Sequence, residues 1–266
     1  MREYKSCPAC IVGINPYSSL PFRYDQFTDR QPQSGSLSIL IQFFKAFEHK
    51  FLFFFRDTAS GIRYSRNTPD MTAASSIRLA NSGSYDFYLA LHSNGSTDGT
   101  KEGAVRGVIA FYYPTSANGR RAADIFVKNL KDIYPMPDKV YARATTTLGE
   151  VRQPYMPSVL LELGYHDNTA DARWIEDNIQ AIAANLVLSL TEYFGLPFVT
   201  PITPWQGTVQ TPGGGPLNLR AAPGARAEVV TLLPNGAKLT VYGRYQEWYT
   251  VGYQGRLGYA YADFIQ

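Results

Sequence analysis

The pattern of hydrophobic and polar positions changes character along the chain, and the changes divide it. Ala9 to Ile14 is a short β-like apolar run closed by the turn pair Asn15-Pro16. Residues 15–36 are polar, aromatic and irregular, and Leu37 to Phe55 is apolar on nearly every face, so this stretch predicts no single element. Regularity returns with Gly61 to Arg66, read as a strand. Asp70 or Thr72 then caps a helix through Ala73, Ile77 and Ala80 that ends at Asn81-Ser82-Gly83. Tyr85 to Leu91 predicts a strand leading into His92-Ser93-Asn94-Gly95, and residues 95–105 form a Gly-rich loop. Val108 to Tyr113 is another strand, and Gly119 to Tyr134 is a helix with Ile125, Phe126, Asn129, Leu130 and Ile133 spaced for one buried face. Thr145 to Gln153 reads as a loop before the apolar strand Met156 to Tyr165. Asn168 or Thr169 caps one long helix whose apolar stripe runs from Trp174 to Phe194, with Gly195 and Pro197 where a helix should stop. Strands alternating with helices predict an α/β fold, a sheet with helices on both faces.

Beyond Pro197 the period shortens to that of strands. Phe198 to Gly207, with Pro201 and Pro204, reads as a linker. Leu217–Arg220, Val229–Leu233, Lys238–Tyr242, Trp248–Val251 and Gly258–Tyr261 are short strands, with Pro234-Asn235-Gly236 and Gln254-Gly255 as turns. They predict a small all-β barrel, and the domain division becomes 1–197 (with 15–57 atypical), a linker at 198–207, and 208–266.

Composition narrows the function classes. With 25 basic and 22 acidic residues among 266, the charge is too balanced to argue for a nucleic-acid partner. No run of about 20 mainly apolar residues is present to predict a membrane span, and the N-terminus shows no secretory h-region. The two cysteines, Cys7 and Cys10, rule out a disulfide framework. Their CxxC spacing suits a redox pair or half of a zinc site, and no second cysteine pair is present to complete the latter.

Candidate chemistry sits at two strand ends. In Ser158-Val159-Leu160-Leu161-Glu162-Leu163-Gly164 a carboxylate interrupts an apolar run, where an ionised Glu is rarely buried unless paired or metal-bound. Gly164 reads as the turn that ends this strand just past Glu162. An edge strand facing water would also carry such a Glu. His92 is one of three histidines, and it follows an apolar strand. An imidazole and a carboxylate on one sheet edge are parts of a hydrolytic zinc site, although a surface-loop histidine has the same local sequence. His166 follows Glu162 closely, either flanking the site or capping the next helix.

Tyr64-Ser65-Arg66, Leu91-His92-Ser93-Asn94 and Pro157-Ser158-Val159-Leu160-Leu161-Glu162-Leu163-Gly164-Tyr165 together resemble the zinc-dependent N-acetylmuramoyl-L-alanine amidases of clostridial and phage type, over residues 60–197. Leu217-Asn218-Leu219-Arg220-Ala221-Ala222-Pro223 through Gly258-Tyr259-Ala260 resembles a bacterial SH3-like domain of the kind that binds peptidoglycan. The resemblance implies one Zn2+, held by a His after the first strand, a Glu opening the first helix and a second His in a His-Ser-Asn turn, with a Glu on the last strand as acid and base. His92 matches the second His and Glu162 the catalytic Glu. Tyr17, Ser18 and Ser19 stand where the first His is expected, and no Glu opens the stretch that follows. In the C-terminal part, Trp248, Tyr253 and Tyr259 are candidate wall contacts, set against the reading that aromatic strand residues fill the barrel core. The implied function is hydrolysis of the muramoyl–alanine amide in peptidoglycan at the bacterial cell wall. The incomplete ligand set keeps two rivals in view: a wall-binding protein without catalysis, and a zinc peptidase acting on stem peptides.

Overall fold

The computed structural model describes residues 9–14, 58–60, 62, 64–66, 72–83, 85–97, 101–199 and 202–266. The illegible stretch 15–57 and Cys7 therefore lie outside the described residues. These fall into two compact units, one made by 9–14 with 64–193 and the other by 58–62 with 194–266.

The first unit is built on a mixed six-stranded sheet of order β2-β1-β3-β6-β4-β5. Its strands are β1 (Ala9–Ile14), β2 (Tyr64–Arg66), β3 (Phe87–Asn94), β4 (Val108–Tyr112), β5 (Val140–Ala144) and β6 (Ser158–Tyr165). The helices are α1 (Ala73–Ser82), α2 (Ala117–Leu130), α3 (Gly149–Arg152), α4 (Thr169–Asp177) and α5 (Ile179–Phe194). β3 and β6 are parallel and central, with Tyr88, Ala90 and His92 in register with Ser158, Leu160 and Glu162. Side chains two apart share a face. On the face of Tyr88 and Ala90, Ile77 and Ala80 of α1 and Val151 of α3 complete a buried cluster with Leu160. On the other face the Phe87 ring lies 6.4 Å from Phe126 of α2 and 5.0 Å from Tyr193 of α5. Phe87, Leu89, Leu91 and Leu161 are all buried, each contributing about 1.5–3 kcal/mol over an exposed position. Helices thus cover both faces, as the alternation of periods predicts.

Three local differences from the sequence reading have clear causes. The long helix is two, because Asn178 breaks it with φ −116° and ψ 17°. Asn178 Nδ2 donates to the Trp174 carbonyl at 2.8 Å, the local side-chain competition that disfavours Asn inside helices. The presumed loop 145–153 contains the one-turn helix α3, too short to show a period. Finally, β6 does not stop at Glu162. His92 faces Glu162 but Asn94 faces Tyr165, so β6 carries one extra residue, a bulge. Gly164 supplies it with φ +85°, and a Cβ there would meet the Asp171 side chain at 3.3 Å. Gly164→Ala should therefore destabilise this unit by about 1–2 kcal/mol, read as a lower urea midpoint; an unchanged midpoint would mean that the bulge does not depend on glycine.

Asp171 of α4 fastens the strand beyond the bulge. Fully buried, it accepts from Arg106 Nε at 2.7 Å, Tyr134 Oη at 2.7 Å, Gly107 N at 3.1 Å and Tyr165 N at 3.0 Å. Burial, and then the hydrogen bond to Asp171, push the Tyr134 hydroxyl far above its ordinary range.

The second unit contains a six-stranded antiparallel sheet of order β7-β10-β11-β12-β8-β9. Its strands are β7 (Trp205–Thr208), β8 (Leu217–Arg220), β9 (Val229–Leu233), β10 (Lys238–Tyr245), β11 (Trp248–Tyr253) and β12 (Arg256–Tyr261). Val209, Leu219, Leu233, Leu239, Val241 and Val251 are among the residues of its core. The segment read as a linker contributes β7, which pairs with β10 from Trp205↔Val241 to Thr208↔Lys238; the flanking prolines concealed it. Tyr259, expected as a wall contact, is fully buried. Its neighbour Ala260 belongs to the core cluster, so Tyr259 lies on the opposite face of β12.

Candidate active site

The parallel β3–β6 pair places its chemistry near the strands' carboxyl ends, where open α/β sheets gather ligands. Register sets His92 directly beside Glu162 on the face covered by α1 and α3. The two side chains that the sequence singled out independently are therefore neighbours. Oε2 of Glu162 is buried and has no hydrogen-bond partner among the described residues. Burial in the sheet, with the nearby Glu150 charge, holds the Glu162 carboxyl above the usual carboxylate range despite the opposing effect of His92.

Glu150 is the member of the site that the sequence reading missed. It is 5% exposed, and its Oε2 lies 3.0 Å from His92 Nε2. Oε1 accepts from the Tyr88 hydroxyl at 2.9 Å. At that distance Nε2 is close to a charge, and it makes no hydrogen bond among the described residues. Burial lowers the His92 pKa, but the Glu150 carboxylate, and then Glu162, outweigh it and leave the imidazole more basic than usual. The signal for Glu150 was available: a carboxylate between Leu148 and Val151, a few residues ahead of a buried strand.

The loop after β3 is tied down from the far end of β6. Asp167 Oδ2 accepts from Ser96 N, Ser96 Oγ and Thr97 N at 2.7, 2.9 and 2.7 Å. Those bonds outweigh burial and hold its carboxyl below the ordinary range. His166 flanks this loop, with Nδ1 3.1 Å from Ser93 Oγ. Capping of α4 falls to Asn168, whose Oδ1 accepts from Ala170 N and Asp171 N.

Among the described residues, no group of three or more His, Cys, Asp and Glu side chains is arranged to hold a metal ion. His92 with its two carboxylate neighbours falls short of the three-ligand shell of a catalytic zinc. The described residues do not by themselves fit that ion. The stretch where the resemblance expects the other two ligands lies outside them.

Residues 54–192, just over half of the chain, match the family described as N-acetylmuramoyl-L-alanine amidase, and the chain belongs to that family. Residues 215–266 match the bacterial SH3 domain. Among solved structures, the chain is similar to the catalytic domain of the CD27L endolysin targeting Clostridia difficile, with 24% identity over 47% of this chain and 65% of that one, at a TM-score of 0.40. CwlV, an N-acetylmuramoyl-L-alanine amidase from Bacillus (Paenibacillus) polymyxa var. colistinus, gives 21% identity over 48% and 68%, at 0.40. An N-acetylmuramoyl-L-alanine amidase from Clostridium difficile 630 gives 17% over 57% and 83%, at 0.47. No curated protein matches the chain. No described helix is long and apolar enough to cross a membrane.

Proposed function

We propose that this protein hydrolyses the amide joining the lactyl group of N-acetylmuramic acid to L-alanine in peptidoglycan. The observation that carries the reading is the pairing of His92 and Glu162 across β3 and β6, with Glu162 Oε2 buried and unpartnered among the described residues, in a chain of the amidase family. Glu162 takes a proton from the attacking water and delivers it to the departing alanine nitrogen. The products are a free lactyl carboxylate and a peptide with a new amino terminus. A zinc ion of the kind usual in the family, with His92 as its one assigned ligand, would lower the pKa of that water and polarise the carbonyl. Mass spectrometry of the digest tests the bond cleaved: glycan strands stripped of peptide, with peptides beginning at alanine, are expected. Cleavage within the stems would instead identify a peptidase.

The C-terminal unit is proposed to hold the enzyme on the wall. Trp248 and Tyr253 are both half-buried, and the Trp248 ring meets Tyr261 edge-on at 5.7 Å, which leaves part of the indole for a ligand. Trp248→Ala should weaken pelleting with purified walls by roughly 1 kcal/mol, about fivefold in affinity. Parental pelleting by a folded variant would remove Trp248 from the contact surface. A wall-binding protein without catalysis is the second reading, favoured by the incomplete donor set among the described residues. It predicts pelleting without release of amino groups.

A further inference from the structure

We propose that Glu150 is a positioning residue: held by the Tyr88 hydroxyl, it fixes the His92 imidazole beside Glu162 through the ion-pair contact at Nε2. Four observations converge on it. The Glu150 carboxylate is buried, an expensive position for an ionised group unless it is paired. Both oxygens are committed, Oε1 to Tyr88 Oη at 2.9 Å and Oε2 to within 3.0 Å of His92 Nε2. The anchor is rigid, because Tyr88 is fully buried in the cluster of Ile77, Ala80, Val151 and Leu160, on the same strand face as His92. The helix that carries Glu150 is itself clamped to β6, where Ser158 Oγ donates to the Val151 carbonyl at 3.0 Å. Glu150 is thus held from β3 and β6 together, the two strands that carry His92 and Glu162. A carboxylate behind a working histidine sets its tautomer and ring orientation, and losing such a partner typically costs 10–100-fold.

The role in turnover rests on the amidase reading, whereas the pairing with His92 does not. The test uses the full chain and the variants Glu150→Gln, which keeps shape and a hydrogen-bond acceptor for Tyr88, and Tyr88→Phe, which removes the hydroxyl that holds the carboxylate. With three histidines in the chain, imidazole 15N–1H correlation spectra at neutral pH are assignable by single His→Gln changes. Glu150→Gln should shift the His92 signals, and Tyr88→Phe should broaden or shift them less, while His166 stays in place. In wall digestion, Glu150→Gln should lower kcat by about 10–100-fold with KM within about twofold, and Glu150→Asp should restore part of it. Unchanged His92 signals in Glu150→Gln would overturn the proposal whatever the kinetics. Shifted signals with parental kcat would overturn the role in turnover. A parent chain that releases no alanine would sink the amidase reading, and the His92 spectrum would still decide the pairing.

Discussion

Glu162→Gln should slow release of amino groups from purified walls by a factor on the order of 10²–10⁴, the usual contribution of a positioned acid and base. Gln keeps the size of the side chain and removes its ability to take a proton. The site around it should survive, because Glu162 Oε2 has no hydrogen-bond partner to lose among the described residues and the neighbouring strand residues Leu161 and Leu163 are buried independently of it. Folding, read by far-UV circular dichroism, should match the parent, so the loss would be chemical. Digestion at the parental rate would remove Glu162 from the mechanism.

Asp171→Ala should be the most destabilising single change in the sheet unit, by about 3–5 kcal/mol. The carboxylate receives Arg106, the Tyr134 hydroxyl and two backbone N–H groups. Its removal leaves a guanidinium that is 23% exposed with less compensation, together with three further donors that each cost about 1–3 kcal/mol when buried without a partner. These donors come from the approach to β4, from Tyr134 and from the end of β6 beyond the bulge, so the damage extends toward Glu162. Chemical denaturation should show a lower midpoint for the sheet unit. A midpoint within experimental scatter of the parent would mean that the network contributes orientation and little stability.

The most legible parts of the chain were those whose periods run long enough to declare themselves. The α2 stripe through Phe126 and Leu130, the N-cap of α1 at Thr72 with its capping-box partner Ser75, and the glycine after α5 with φ +69° all follow from residue chemistry. Glu162 and His92 stood out because each breaks or ends an apolar strand. Which strands are neighbours was not legible, because adjacency depends on crossovers rather than on local pattern. Glu150 was missed because a single helical turn has no period. The bulge was missed because a glycine at a strand end and a glycine inside a bulge have the same sequence signature. The burial of Tyr259 was not legible because Leu257 to Ala260 are all buried, so the alternation that separates inward from outward side chains is absent.

The central claim is that water attacks the lactyl carbonyl of the muramoyl–alanine bond. Digestion of purified peptidoglycan by the intact chain in 18O-labelled water tests it most directly. The account predicts one 18O atom in the lactyl carboxylate of the glycan product, none in the released peptide, and a rate of labelling that falls with Glu162→Gln. Label in the peptide carboxylates, or labelling unaffected by that substitution, would contradict it.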